Sequence, residues 1–220
     1  MIPPDHNSDF VAAMENVLDI YRRPYDKDYP LVCMDETPKQ LIREMRTPIP
    51  AKRGCPEKYD YEYERCGVVN VFIAGEPLAG KRIVKATENK TRIEWARFIR
   101  VLADYYPDAK KITLVMDNYK THKPASLYEA FPPHEAKRLW DRFEFVYTPK
   151  HGSWLNMAEI ELRILTHQCL NDRMESLSEV SQAVTAWRNH RNNRNAGVNW
   201  QFTKEDARVK LARLYPTDHA

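Results

Sequence analysis

Apolar residues at positions 10, 11, 14, 17, 18 and 21 recur at helical spacing and predict a helix over residues 10–21. Pro24 and Pro30 end it. The next run, "LVCMDE", is short, holds a β-branched residue and sits between Pro30 and Pro38, so it reads as a strand that stops at Asp35 and Glu36. Residues 37–65, with prolines at 38, 48, 50 and 56, read as loop. Val68 to Ala74 and Lys81 to Ala86 read as two strands paired across the turn residues Gly75 to Gly80. From Thr91 to Tyr105 the pattern turns helical, with Ile93, Ala96, Ile99, Arg100 and Ala103 near one face and Thr91 or Asn89 as cap.

Ile112 to Met116 form a fourth strand that runs into Asp117. Short helices around Ser126 to Ala130 and in "EAKRLWDRF" flank the Pro132-Pro133 break, and "FEFVYTP" is a fifth strand ending at Pro149. Residues 155–170 and 178–192 read as two consecutive helices. Hairpin strands followed by strand-helix alternation imply an α/β fold, a mixed sheet with helices on both faces. One domain over residues 31–220 then follows an N-terminal helix and linker over 1–30.

Composition narrows this picture modestly. A 43% hydrophobic content in 220 residues supports one packed core, and no apolar run is long enough to span a bilayer. The start, "IPPDHNSDF", lacks the basic and apolar parts of a signal peptide, so the expected location is the cytoplasm. Cys33, Cys55, Cys66 and Cys169 lack the close spacing of a zinc knuckle and read as reduced thiols. A net charge of +3 is a weak pointer to a polyanionic partner, so nucleic-acid binding would depend on local arrangement.

Asp35 and Asp117 each follow a short apolar strand, and ligand sites in open sheets gather beyond the carboxyl ends of strands. On neighbouring strands the two carboxylates would converge, and close carboxylates repel unless a hard cation lies between them. Taken singly, each acid reads equally well as a turn former or helix cap. A third acid would complete a site for in-line phosphoryl transfer, and "TPKHGSWLNMAEIELRIL" offers two. Asn156 is a fitting N-cap there, and Ala158, Leu162, Leu165 and Cys169 form an apolar stripe. Glu159 lies about a quarter turn off that stripe, with Arg163 at i+4 as an exposed partner, and Glu161 lies nearer the apolar arc. Spacing does not choose between them.

Together, "VCMDET", "LVMDNYKTH" and "YTPKHGSWLNMAEIE" resemble the catalytic core of bacterial insertion-sequence transposases in the mariner superfamily, the branch written in words as the IS-six-thirty family. The resemblance runs roughly from Phe10 to Pro216 and implies a ribonuclease-H-like mixed five-stranded sheet flanked by helices. It also implies a DDE triad of Asp35, Asp117 and Glu159, with Glu159 favoured over Glu161 by the Leu155-Asn156-x-x-Glu159 pattern. Between Asp117 and Glu159 lie 41 residues, more than is usual for the superfamily, and the surplus falls in "AFPPHEAKRLW". The helix-turn-helix modules that normally precede this core have no counterpart in the sequence.

The resemblance further implies two Mg2+ or Mn2+ ions on the triad, cleavage and strand transfer of double-stranded DNA at terminal inverted repeats, a TA target, and pairing of two subunits. An idle DNA-binding remnant and a simple nuclease are the competing readings. Candidate DNA contacts are Asn118 and His122 beyond the fourth strand, Lys150 and His151 before the Glu159 helix, and Arg188, Arg191 and Arg194 at i, i+3 and i+6. Asn118 and His122 equally suit capping, and Trp154 reads as a base-stacking platform or a core anchor. Lys39, Arg43, Arg46, Lys52 and Arg53 form a second basic segment.

Overall fold

The computed structural model describes residue 2 and residues 7–216. The extreme ends of the expected helix-and-linker and domain spans, residues 1, 3–6 and 217–220, lie outside the described residues. Helix α1 (Ser8–Tyr21) is capped by Asn7, whose side chain accepts from the Phe10 N–H at 2.8 Å. Strands β1 (Leu31–Glu44), β2 (Tyr63–Glu76) and β3 (Lys81–Thr87) follow. Helix α2 (Arg92–Tyr105), capped by Thr91, leads to β4 (Ile112–Met116). Helices α3 (Ala125–Ala130) and α4 (Pro133–Arg142) precede β5 (Phe143–Tyr147). Beyond a 3-10 turn at Ser153–Leu155 come α5 (Ala158–Leu165), a π-helical turn (Thr166–Leu170), α6 (Leu177–Asn193) and α7 (Lys204–Lys210).

The sheet order is β3-β2-β1-β4-β5, with antiparallel pairing among β1, β2 and β3 and parallel pairing of β1 with β4 and β4 with β5. Alternating side chains send Val32, Met34, Leu114 and Met116 to one face, where Trp95, Phe98, Ile99 and Leu102 of α2, Leu127 of α3 and Leu139 of α4 cover them. Cys33, Val115 and Val146 point to the other face, against α1, α5 and α7. Leu41, Val69, Val71 and Ile73 extend that second face beneath α5 and α6. Helices on both faces of a mixed sheet are thus present. Among the described residues no helix is long and apolar enough to cross a membrane.

Three elements differ from expectation. β1 does not stop at Glu36; it continues through Pro38 to Glu44, taking over part of the expected loop, and β2 lengthens to match it from Tyr63. Past Cys33 the strand has a partner on one side alone, and such an edge is where a sheet accommodates proline. The helix expected over residues 155–170 is divided into a 3-10 turn, α5 and a π turn. Helix α7 was not anticipated, although Thr203 and Asp206 form a capping box that the sequence displays as Thr-x-x-Asp.

Tyr21, at the end of α1, ties this frame to the segment before α5. Its buried hydroxyl donates to the Leu155 carbonyl at 2.6 Å and accepts from the Met157 N–H at 3.4 Å. Removing it leaves a buried carbonyl without its partner. Chemical denaturation of Tyr21→Phe is therefore expected to show a loss of about 1–3 kcal/mol.

Candidate active site

β1 and β4 pair at Leu31 with Thr113, Val32 with Leu114 and Cys33 with Val115. Continuing that offset by two residues sets Asp35 beside Asp117. Both share the face of Cys33 and Val115, the face that α5 covers. Asp117 closes its strand, as expected, whereas Asp35 lies inside the longer β1. The edge created where β4 ends is what opens Asp35 toward the crevice.

Asn156 joins Asp35 to the third element. Its buried amide nitrogen donates to the Met34 carbonyl at 2.9 Å and to Asp35 Oδ2 at 3.3 Å. Its Oδ1 accepts from the Ala158 N–H at 3.1 Å, and its carbonyl accepts from the Glu159 N–H at 3.0 Å. Met157 occupies the N-cap position of α5, but the Asn156 side chain performs the capping bond. One side chain therefore fixes the start of α5 against the acid-bearing strand.

The two acids on α5 have different surroundings. Glu161 is buried and shared by two guanidinium groups: Arg82 reaches its two oxygens at 2.7 Å each, and Arg191 reaches them at 2.9 and 3.2 Å. Arg82 also donates to the Gly80 carbonyl at 2.8 Å and to the Ala196 carbonyl. Gly80 has φ +64°, and a Cβ there would meet the Asn195 backbone at 2.5 Å, so only glycine fits this approach. Glu159 is exposed, and no Glu159–Arg163 pair forms among the described residues.

The carboxylates act on one another. Burial, together with the charges of Glu36, Asp117 and Glu159, raises Asp35 to about 7, against the lowering effect of the bond it accepts from the Glu36 N–H. Asp117 is also part-buried, but His122 and the Tyr119 N–H hold its carboxyl below the usual range. His122 is 1% exposed, with Nδ1 at 2.5 Å from Asp117 Oδ1 and Nε2 at 3.3 Å from Glu36 Oε2. Trp95 stacks on its ring at 5.8 Å between centroids. Burial alone would lower the imidazole, but the two carboxylates outweigh it and raise His122 to about 9. Glu36 in turn receives Lys90 at 3.3 Å. Sequence reasoning missed Glu36 and Lys90 because it ended the strand at Glu36 and did not treat the alternate face as part of the site.

The expected DNA contacts divide. Asn118, Lys150 and His151 meet along one groove of about 520 Å3 beside Asp117. His122 is a correction: enclosed by Trp95, Asp117 and Glu36, it cannot reach DNA and orients Asp117 instead. Arg191 is a second correction, since its guanidinium turns inward to Glu161; Arg188 bonds Asn189, and Arg194 is exposed. Trp154 anchors against Phe202 at 5.7 Å. In the second basic segment, Lys39 is buried on the Leu170 and Asp172 carbonyls, and Arg43 and Arg46 pair with acids.

Among the described residues no three acid, histidine or cysteine side chains stand close enough to hold an ion as they are placed. The chemistry of Asp35, Asp117 and Glu159 nevertheless fits a hard divalent cation. They supply oxygen donors alone, on one face, and their mutual repulsion is the charge such an ion neutralises.

A model of the DDE superfamily endonuclease family matches residues 30–181, which include all three acids. No curated protein matches the chain. Among solved structures, the Mos1 mariner paired-end complex with Mn has a TM-score of 0.55 at 15% identity, over 89% of this chain and 61% of that one. The Mos1 paired-end complex with the left transposon end has a TM-score of 0.60 at 14% identity, over 98% of this chain and 66% of that one. The catalytic domain of Mos1 mariner transposase has a TM-score of 0.52 at 11% identity, over 89% and 91%. The chain thus spans less than two thirds of the transposase chain in those complexes, and the likeness shows a ribonuclease-H-like fold.

Two outcomes follow from these contacts. Glu161→Ala strands two buried guanidinium groups and should cost about 3–5 kcal/mol in denaturant unfolding, while Glu159→Ala should stay within about 0.5 kcal/mol. For His122, a folded pKa above the unfolded value near 6.5 means a stabilisation that is complete below about pH 6.5 and lost as pH rises through about 9. Thermal melts of the metal-free chain should show this loss, on the order of 3 kcal/mol, and His122→Asn should abolish that part of the pH dependence.

Proposed function

We propose that this chain, which belongs to the DDE endonuclease superfamily, cuts DNA strands at a site formed by Asp35, Asp117 and Glu159 and joins the freed end to a target. The observation that carries this reading is the convergence of Asp35 and Asp117 on one sheet face, where burial first, and then the charges of Glu36, Asp117 and Glu159, raise Asp35 to about 7, within the segment matched by the family model. Mos1 complexes with Mn and with transposon-end DNA share the fold and support a metal-dependent reaction on DNA.

Asp35, Asp117 and Glu159 would hold two Mg2+ or Mn2+ ions. When bound, such ions polarise the scissile phosphate, lower the pKa of an attacking water or 3′-hydroxyl and neutralise the leaving oxygen. The chain's own residues position these groups. His122 and the Tyr119 N–H both engage Asp117 Oδ1, leaving Oδ2 free of hydrogen bonds among the described residues. Asn156 sets Asp35 and the first turn of α5 relative to each other, so Glu159 arrives from a fixed helix start. Asn118, Lys150 and His151 line the adjoining groove, where they can receive a DNA backbone.

Within the superfamily we place the chain in the bacterial IS-six-thirty branch, on the motifs around Asp35, Asp117 and Glu159. Terminal inverted repeats and a TA target are the matching DNA partners, handled by two paired subunits in the cytoplasm at the nucleoid. Incubation of the chain with end-sequence duplex and Mn2+ tests the reading. Cleavage and joined products are expected, with Asp117→Asn reducing both at least about a hundredfold. Cleavage without joined products would leave a nuclease, and DNA binding without cleavage would reject the enzyme.

A further inference from the structure

The groove between the π-helical turn and α6 encloses about 510 Å3, and Gln168, Asp172, Trp187, His190, Arg191 and Arg194 are among the residues that line it. Its charge is not balanced. Glu161 is shared by Arg82 and Arg191, and one carboxylate neutralises only one of two guanidinium groups. Lys39 lies buried behind the groove on the Leu170 and Asp172 carbonyls, and among the described residues no acid pairs with Arg194. The groove lining itself holds two cations, Arg191 and Arg194, and one acid, Asp172, before His190 is counted.

One buried donor lacks an acceptor. Arg191 Nε is buried with no hydrogen-bond partner. Gln168, an exposed residue of the lining, accepts from the Trp187 indole at 2.9 Å. Trp187, Cys169 and Met174 supply low-dielectric walls that strengthen the field of the surrounding cations. Guanidinium groups in such a setting select phosphate.

We propose that this groove receives a backbone phosphate of the DNA held at the triad. Naming DNA as the source of the phosphate rests on the DNA-cutting reading; the anion preference rests on the groove. Lys39 and Asp35 lie on the same face of β1, four residues and about 13 Å apart. That is roughly four base-pair steps along a duplex. The groove continues the carboxylate-bearing face.

Arg194 carries the test because it is exposed and outside the Glu161 cluster. Binding of the full chain to fluorescent duplex DNA, without divalent metal, is followed by anisotropy as salt is varied. Arg194→Gln is expected to bind about eightfold more weakly at 0.1 M salt, with the slope of log K against log salt shallower by about 0.9. The same loss is expected on duplexes of unrelated sequence, because a phosphate contact carries no base information. Unchanged affinity and slope in both Arg194→Gln and Arg194→Glu, or no DNA binding by the wild-type chain, would overturn the proposal. Loss of binding in Arg194→Gln with no cleavage by any variant would uphold the groove and reject the DNA-cutting reading. Wild-type cleavage with unchanged Arg194→Gln binding would reject the groove alone.

Discussion

Three residue pairs between β1 and β4 set everything about the site. Leu31, Val32 and Cys33 run parallel to Thr113, Leu114 and Val115, and no further pairs join these strands. A shift by one residue would turn either acid to the opposite face, so the buried alternation of Val32, Met34, Leu114 and Met116 under α2 fixes the register that brings Asp35 to Asp117. The apolar face does the specifying, and the polar face inherits the result. Pairing ends where the acids begin, which leaves the crevice open to solvent.

Crowded carboxylates are a cost that the surrounding structure contains rather than removes. Asp117 is held by His122, His122 by Glu36, and Glu36 by Lys90, so charge alternates outward from the crevice across the strand to the other face. Among the described residues Asp35 has Asn156 and its neighbouring backbone as partners, and burial raises its carboxyl to about 7. The asymmetry arises from position. Asp117 sits at a strand end where a turn can bring back a histidine five residues later, while Asp35 lies within a continuing strand that cannot fold back on itself.

Much of the sheet was legible because its strands are short apolar runs between prolines and glycines; Ile112–Met116 matches the periodic reading residue for residue, and the fifth strand starts at Phe143 as read but ends at Tyr147, two residues before Pro149. Proline misled that reading at Pro38, where a one-sided strand tolerates it. Residues Asp35, Asp117 and Asn156 stood out in sequence because each borders an apolar run. The choice between Glu159 and Glu161 did not, since a two-residue separation on a helix leaves both near the apolar boundary, and only the distant Arg82 and Arg191 show that Glu161 is committed to the interior. Long-range partners of this kind have no signature in local spacing. Arg191 was misjudged for the same reason, as an i, i+3, i+6 row of arginines looks solvent-facing until its acid appears 30 residues earlier.

The shared carboxylate at Glu161 also limits how this chain can vary. It joins β3, α5 and α6 through one ion cluster, and the family match ends at residue 181, inside α6 and short of Arg191. A change at position 161 is tolerable only alongside changes at 82 and 191, and Gly80 must remain small where Asn195 crosses it. These four positions should therefore drift together among relatives, as a covarying set that spans the family boundary. The tail beyond that boundary is then inherited with α5, because the two share a single buried charge.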